Sequence, residues 1–260
     1  MRYYKGYIAL SEACDVPVLL HIRNARAICF DQLFELISLE MEAPLVRSLR
    51  WRVARLVKAG LLSRLETYRH LGKPVLGITQ QGLECLEARG HYLLSLPSNA
   101  EQILHPSQVP HALELVNIRI ALAKGGLLRS WKCELEITSR NLVVESSATK
   151  DYDAIAEIAF DGDCKRLAIE YERNPKAAQR YRAIRDVLDK DETADTILYL
   201  TSNDDILYLL AVEMRSCRRQ IGFALSESFR RSLLETRTLT NTEDSAVVSL
   251  RDLLAPKGDS

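Results

Sequence analysis

The segment LVRSLRWRVARLVKAGLL, residues 45–62, constrains the fold more than any other part of the chain. Its apolar residues recur every three or four positions, and arginine and lysine fill most of the others, which indicates an amphipathic helix. Gly60 stands where a helix C-cap is expected, because glycine tolerates the left-handed conformation that ends many helices. The sequence therefore predicts a strongly basic helix that stops close to Gly60.

This basic helix lies in the most unevenly charged part of the chain. The 260 residues carry no net charge, with 35 Lys and Arg against 35 Asp and Glu, but residues 1–100 have 13 basic and 9 acidic side chains. Residues 47–73 contain eight basic residues and a single acid, Glu66. Such a local excess is typical of a surface that binds phosphates, and a solvated helix face is the alternative.

The elements around the basic helix follow a recognisable order. The spacing of Phe30, Leu33, Phe34 and Ile37 predicts a helix over residues 29–40, and strands are expected over 62–70 and 75–79, joined by a turn at 71–74. Thr79 is placed to cap a following helix that ends at Gly90. The quoted run VRSLRWRVARLVKAGLLSRLE, continued by GKPVLGITQQGLECLEARG, resembles a winged helix-turn-helix domain.

In winged helix-turn-helix domains the second helix of the pair enters the major groove of double-stranded DNA, and the wing touches the flanking backbone. The resemblance therefore nominates DNA-contacting residues on the basic helix and on the wing. The alternative is a winged helix that contacts only other proteins. The nominated residues are Arg47, Arg50, Trp51, Arg52, Arg55 and Lys58 on the helix, and Arg69 and Lys73 on the wing.

The chain is predicted to contain two domains, a winged helix over residues 1–96 and an α/β domain over 110–260. Residues 97–109 are the expected linker, because this stretch is rich in proline and serine and has no periodicity. The predicted order of elements in the second domain indicates an α/β (α+β) fold. This order is helix, three strands, helix, strand, helix. The expected helices are 110–126, 175–190 and 204–220; the expected strands are 130–137, 154–160, 165–173 and 193–203, with 138–152 a loop and 222–229 a possible last strand.

Acidic residues fall where two neighbouring strands of this domain can bring them together. Asp153 precedes one strand, and Glu170 and Glu172 share a face of the next because they are two positions apart. The turn Asp161-Gly162-Asp163 suggests that these two strands are antiparallel neighbours. Glu114 lies on the preceding helix. Two carboxylates and a third acid suffice to bind Mg²⁺ or Mn²⁺, which activates water for cleavage of a phosphodiester. Solvated acids at a strand edge are the alternative.

This arrangement of acids resembles the pattern of the PD-(D/E)XK nuclease superfamily. That pattern has an acid in the opening helix, Asp at a strand edge and E-x-K on the next strand. The resemblance implies catalytic roles for Glu114, Asp153, Glu170 and Glu172, with Asp153, Glu170 and Glu172 as metal ligands. Glu172 stands where the pattern has lysine, so that Arg173 or Lys176 would have to supply the missing cation.

Both halves together are similar to the replication-relaxation family of plasmid and integrative-element proteins. The similarity rests on VARLVKAGLLSRLE, LGITQQG and HALELVNIRIAL, and on YDAIAEIAF followed by KRLAIEYERNPKAAQRYRAI. It implies a DNA-binding protein of a mobile element that acts in replication, DNA relaxation or mobilisation, with a nuclease-like domain that serves as a scaffold. Two other classes stay open: a metal-dependent nickase or relaxase, and a transcriptional repressor whose second domain senses or dimerises.

The motifs that are absent from the sequence argue against nucleotide-binding, membrane and secreted proteins. No GxxxxGK[ST] or GxGxxG motif is present, so no nucleotide cofactor is expected. No apolar run approaches the length of a membrane span, and no secretory signal is visible, so we expect a cytoplasmic protein without a membrane partner. The expected partners are double-stranded DNA, replication or transfer proteins and a second copy of the chain. Six scattered cysteines predict reduced thiols.

Overall fold

The computed structural model describes residues 8–40, 45–65, 74–97, 104–144, 149–242 and 246–255. It divides into two compact units, residues 1–116 and residues 117–260. Helices and a mixed sheet together give an α/β (α+β) architecture, which confirms the predicted fold class at this level. Within the described ranges, no helix is long and apolar enough to cross a membrane.

The first unit consists of short helices around a small antiparallel sheet. In its described part the strands form a sheet in the order β1-β3-β2, with Leu62 opposite Ile78 and Leu65 opposite Val75. The elements are α1 (Asp15–Ala25), β1 (Ile28–Cys29), α2 (Phe30–Glu40), α3 (Val46–Lys58), β2 (Leu62–Leu65), β3 (Val75–Ile78) and α4 (Gln80–Glu87). The predicted helices are confirmed, and the predicted strands pair where they are described; residues 66–73, with the rest of the first strand and most of the turn, lie outside the described residues. The sequence predicts no element for α1, and β1 ends at Cys29, the first residue of the predicted helix.

Three residues determine how α3, the strand pair and α4 join. Gly60 follows the end of α3 with φ of 76°, a left-handed conformation that suits glycine. The Thr79 hydroxyl accepts a hydrogen bond from the Gly82 N–H at 3.1 Å and donates one to the Gly60 carbonyl at 2.5 Å, so the predicted cap is confirmed. A Cβ on Gly82 would lie 2.2 Å from the Leu61 carbonyl oxygen, so only glycine permits this approach of α4.

The helix α5 (Val109–Lys124) crosses from the first unit into the second. Its first turn belongs to the core of the first unit, because Val109 and Ala112 cluster with Ala27 and Val75. The division between the units therefore lies at residues 116 and 117, inside this helix, and not in the predicted linker at 97–109. Residues 98–103 of that linker lie outside the described residues.

The second unit is built on a mixed sheet with helices packed against it. In the described residues its strands follow the order β10-β9-β8-β7-β6-β5-β4, in which β6, β7 and β8 are parallel and the other neighbours are antiparallel. The elements are β4 (Leu128–Cys133), α6 (Glu134–Val144), β5 (Ala154–Phe160), β6 (Asp163–Glu172), α7 (Ala178–Leu188), β7 (Thr196–Thr201), α8 (Asp204–Glu213), β8 (Ile221–Leu225), α9 (Ser226–Ser232), β9 (Arg237–Thr240), β10 (Val247–Ser249) and α10 (Leu250–Leu254).

Several predictions for this unit are wrong. The strand expected over 130–137 ends at Cys133, and α6 occupies much of the expected loop at 138–152. The Glu136 carboxylate accepts the Cys133 N–H at 2.9 Å, which satisfies a free donor at the start of this helix. The possible last strand at 222–229 ends at Leu225 and is followed by a helix and two more strands. The predicted helix over 204–220 is shorter, Asp204–Glu213, and the Asn203 side chain caps it by accepting the Ile206 N–H at 3.0 Å.

The strands that carry the predicted acids are confirmed. β5 and β6 form an antiparallel hairpin in which Ala154 lies opposite Ile169, and its turn contains Asp161 and Gly162, both with positive φ. β6 then pairs in parallel with β7, so Glu170 lies beside Tyr199 and Glu172 beside Thr201. The core on one face of this sheet includes Ala168, Tyr199 and Tyr181.

Candidate functional sites

The basic helix α3 has two different sides. Leu49, Val53 and Leu56 are buried and fix the helix on the core of the first unit. Arg47, Arg50, Trp51 and Lys58 are exposed, and the Trp51 side chain is 63% exposed although it is large and apolar. Positions 47, 51 and 58 recur at helical spacing, so these side chains lie along one face. The helix contains no acidic residue, so the charged side chains on this face are all cations.

Arg52 and Arg55 belong to an internal ion-pair network. Arg52 Nη1 lies 2.8 Å from Asp15 Oδ1, and Arg55 Nη2 pairs with Asp15 Oδ2. Arg55 Nη1 also donates to the Ala9 carbonyl at 3.0 Å. Asp15 is fully buried at the start of α1 and accepts the Ser11 N–H at 2.8 Å. Arg52 and Arg55 therefore stabilise the packing of α3 against α1 through Asp15.

The pKa of Asp15 reflects these contacts. Burial raises the pKa of this carboxyl, but the hydrogen bonds from Arg55, from the Ser11 N–H and from Arg52 outweigh burial, and the resulting pKa is lower than usual. The Asp15–arginine network is therefore fully charged at neutral pH. Sequence reasoning missed Asp15, and its separation from Arg52 and Arg55 by 37 and 40 positions leaves no local signal.

Aromatic rings contact two of the α3 arginines. The Arg50 guanidinium lies 5.4 Å from the centre of the Phe30 ring, and that of Arg55 lies 5.3 Å from the Trp51 ring. Both distances are in the range of cation–π contacts, which limit the number of orientations available to the arginines. The predicted wing residues Arg69 and Lys73 lie outside the described residues.

In the second unit, three of the predicted acids come together at one end of β5 and β6. Asp153 directly precedes β5, and continuing the register by one place puts it opposite Glu170. Asp153 Oδ2 accepts the backbone N–H of Tyr171 at 2.7 Å. Glu170 and Glu172 are two positions apart on β6 and share one face. The fourth acid, Glu114, lies on the part of α5 that belongs to the first unit.

A lysine ammonium neutralises each of the two glutamates. Lys150 Nζ pairs with Glu170 Oε1, and Lys176 Nζ pairs with Glu172 Oε2. Both glutamates are only 8% exposed. Lys150 also lies over the Tyr152 ring, 4.7 Å from its centre. The sequence nominated Lys176 as a substitute cation but gave no signal for Lys150, whose contact with Glu170 spans 20 positions.

Glu170 differs from an ordinary surface carboxyl. Burial raises the pKa of Glu170 to about 7; the Lys150 ammonium opposes this rise, and the Asp153 carboxylate adds to it. The neighbouring Tyr199 has a pKa well above its usual value, because it is buried and lies near Glu170. The Tyr199 hydroxyl is buried and has no hydrogen-bond partner within the described part of the chain.

The acids do not fit a metal ion in the arrangement observed. Among the described residues, no group of three or more His, Cys, Asp or Glu side chains is arranged to hold a metal ion. The chemistry of the donors suits Mg²⁺, but lysine ammonium groups bind the two glutamates where a cation would bind. The Tyr181 hydroxyl accepts the Lys176 N–H at 2.8 Å, and this tyrosine is a buried residue of α7.

No family model, curated protein or solved structure matches the chain. The similarity to the replication-relaxation family therefore stays a prediction from the quoted motifs.

Proposed function

We propose that this protein binds double-stranded DNA through α3, as a winged helix-turn-helix protein of a mobile genetic element. The order α1, β1, α2, α3, β2, β3, α4, with a paired strand ribbon after the basic helix, supports the winged-helix assignment. A role in replication, DNA relaxation or mobilisation follows from the resemblance to the replication-relaxation family.

The exposed cationic face of α3 carries the proposal. Arg47, Arg50 and Lys58 are the residues of this face that would contact the DNA, with Trp51 between them. Arg52 and Arg55 take a supporting role, because Asp15 already occupies their guanidinium groups. A helix fixed in this way presents its cations without first having to order itself, which lowers the entropic cost of binding.

In this proposal the second unit is a nuclease-like scaffold that does not cleave DNA. The supporting observation is that both β6 glutamates are neutralised internally, by Lys150 and Lys176. A lysine ammonium on a carboxylate competes directly with a divalent cation. No catalytic step is therefore assigned to Asp153, Glu170, Glu172 or Glu114.

Charge reversal on α3 tests the DNA-binding proposal. The variant Arg47→Glu/Lys58→Glu removes two phosphate contacts and adds repulsion, and we expect duplex affinity to fall about 100-fold or more, since each charged hydrogen bond is worth roughly 1.5–3 kcal/mol. Fluorescence anisotropy with a labelled duplex measures the affinity.

The matched control for this test is Arg182→Glu/Arg218→Glu, which changes the net charge equally at exposed residues of the second unit. The control should keep most of the affinity. An equal loss in both variants would mean that net charge alone, and not the α3 face, governs binding.

A metal-dependent nickase is the second candidate. The observation in its favour is that Asp153 lies opposite Glu170, whose pKa of about 7 is set by burial. A nicking assay on supercoiled plasmid with Mg²⁺ or Mn²⁺ separates the candidates. Cleavage that disappears in both Asp153→Ala and Glu170→Ala supports the nickase; no cleavage by the wild type, with specific binding close to the protein's own gene, favours a repressor.

A further inference from the structure

The second unit contains a concave pocket that the proposed function does not use. Its volume is about 250 Å³. The lining comes from β4, α6, the segment before β5, β5 itself, β6 and the loop before β7. On the strands, Lys132 lies opposite Ile155, and Glu157 lies opposite Arg166, so one face of the sheet forms the floor.

The lining of this pocket is strongly cationic. The basic residues that line it in the described part of the chain are Lys132, Arg140, Lys150 and Arg166, against a single acid, Glu157. The Ser130 hydroxyl donates to the Glu157 carboxylate at 2.7 Å, so this acid is already hydrogen-bonded.

The cations differ in how far they are neutralised. Lys150 pairs with Glu170. Arg166 is only loosely paired, with 3.7 Å between its Nη2 and Asp195 Oδ1, and both side chains are about half exposed. Lys132 and Arg140 are exposed and form no ion pair within the described residues. Among the described lining residues the cations outnumber the single acid Glu157, so the pocket keeps a net positive charge.

A buried hydroxyl lies in the same lining. Thr193 Oγ1 is buried and has no hydrogen-bond partner in the described part of the chain. A buried polar atom without a partner costs free energy. The combination of two arginines and two lysines around a concave space matches an oxyanion with several acceptor oxygens.

We propose that this pocket binds a phosphate group, carried either by a free nucleotide or by a nucleic-acid strand. The volume accommodates a phosphate with part of its sugar. The guanidinium fork of Arg140 suits two phosphate oxygens at once, and Lys132 adds a point charge. This site goes beyond the duplex-binding proposal, because it uses none of the α3 residues.

Calorimetric titration of the full chain tests the pocket with three probes: pyrophosphate, a 5′-mononucleotide and a short single-stranded oligonucleotide. We expect Lys132→Ala and Arg140→Ala each to weaken binding about tenfold, the change that corresponds to 1.4 kcal/mol. The matched control is Lys165→Ala/Arg182→Ala, with one residue on the opposite face of β6 and one exposed on α7, and it should leave binding unchanged.

The probes distinguish the source of the phosphate. Binding of pyrophosphate and the mononucleotide points to a free ligand, and binding of the oligonucleotide alone points to a strand backbone. Either result supports the pocket if Lys132→Ala and Arg140→Ala weaken it. The proposal is overturned if no probe binds the wild type, or if the control weakens binding as much as the pocket variants do.

The charge-reversed α3 variant separates this inference from the duplex-binding proposal. Arg47→Glu/Lys58→Glu should bind pyrophosphate or the mononucleotide as tightly as the wild type does. If duplex binding survives this change while the pocket behaves as expected, the α3 proposal fails and the pocket stands.

Discussion

Two buried carboxylates, one in each unit, have cationic partners but shift their pKa values in opposite directions. Asp15 in the first unit has a lowered pKa, and Glu170 in the second unit has a pKa raised to about 7. Burial raises the pKa of both. The difference lies in what offsets burial. Asp15 receives hydrogen bonds from two guanidinium groups and a backbone N–H. Glu170 has one hydrogen-bonded lysine, a smaller contribution from Lys176, and the nearby carboxylate of Asp153, which acts in the opposite direction.

A lysine ion pair alone does not keep a buried carboxyl fully ionised at neutral pH. Arginine keeps its proton and the pKa of Asp15 is lowered, so the Asp15 network links α1 and α3 at neutral pH. Glu170 titrates near neutrality, so its ion pair with Lys150 responds to pH. The first unit therefore holds its basic helix by an ion-pair network, and the second contains one buried glutamate, Glu170, whose pKa is raised to about 7.

The largest expected effect comes from removing the charge of Asp15. Asp15→Asn leaves two partly buried arginines without their partner, and we expect a loss of about 3 kcal/mol in the free energy of unfolding, at the low end for breaking a buried pair because both arginines still reach solvent. Urea denaturation followed by circular dichroism measures it. A loss no larger than that of a surface substitution would remove Asp15 from its structural role.

The pH dependence of stability should have opposite signs at the two acids. A lowered folded pKa gives stability that is present above the ordinary value of 3.8, so the cost of Asp15→Asn should shrink as pH falls below it. A raised folded pKa gives stability that is present below 4.5 and lost as pH rises through about 7.

As pH rises from 4.5 to about 7, the wild type should therefore lose stability relative to Glu170→Gln. The expected loss in the free energy of unfolding is on the order of 1–3 kcal/mol. Urea denaturation of both proteins at a series of pH values checks this sign, and each variant serves as the control for the other. The same sign at both sites would contradict the comparison.

The smallest expected effects are on the pKa of Glu170 itself. Lys150→Met removes the main contact that lowers this pKa, so we expect a further rise, and Lys176→Met should cause a smaller rise in the same direction. Carboxyl carbon NMR of the labelled protein measures both. The reverse order would place Lys176, and not Lys150, as the main partner of Glu170.

Local patterns predicted the elements around these sites better than the contacts within them. Some features depend only on residues close together in the sequence, and these predictions are confirmed. They are the periodicity of α3, the cap at Thr79 and the turn at Gly162. The first helix was missed because DVPVLLHIRNA separates its apolar and polar residues weakly. The first turn of α6 was mistaken for a strand because ELEI alternates acidic and apolar residues, and the rest of α6 was mistaken for a loop.

The ion pairs at both sites form between residues that are far apart in the sequence. Asp15 meets Arg52 and Arg55 only after α1 packs on α3, and Lys150 meets Glu170 only after β5 pairs with β6. Sequence spacing brought Asp153, Glu170 and Glu172 to the same end of the sheet, but it gave no indication that lysines neutralise the glutamates.

The salt dependence of duplex affinity tests most directly the claim that the exposed face of α3 contacts DNA phosphates. The logarithm of the association constant falls linearly with the logarithm of salt concentration, with a slope of about −0.9 for each neutralised phosphate. Replacing Arg47 and Lys58 by alanine should make this slope less steep by about 2, whereas Arg182→Ala/Arg218→Ala should leave it unchanged. A slope for Arg47→Ala/Lys58→Ala equal to that of the wild type would contradict the claim.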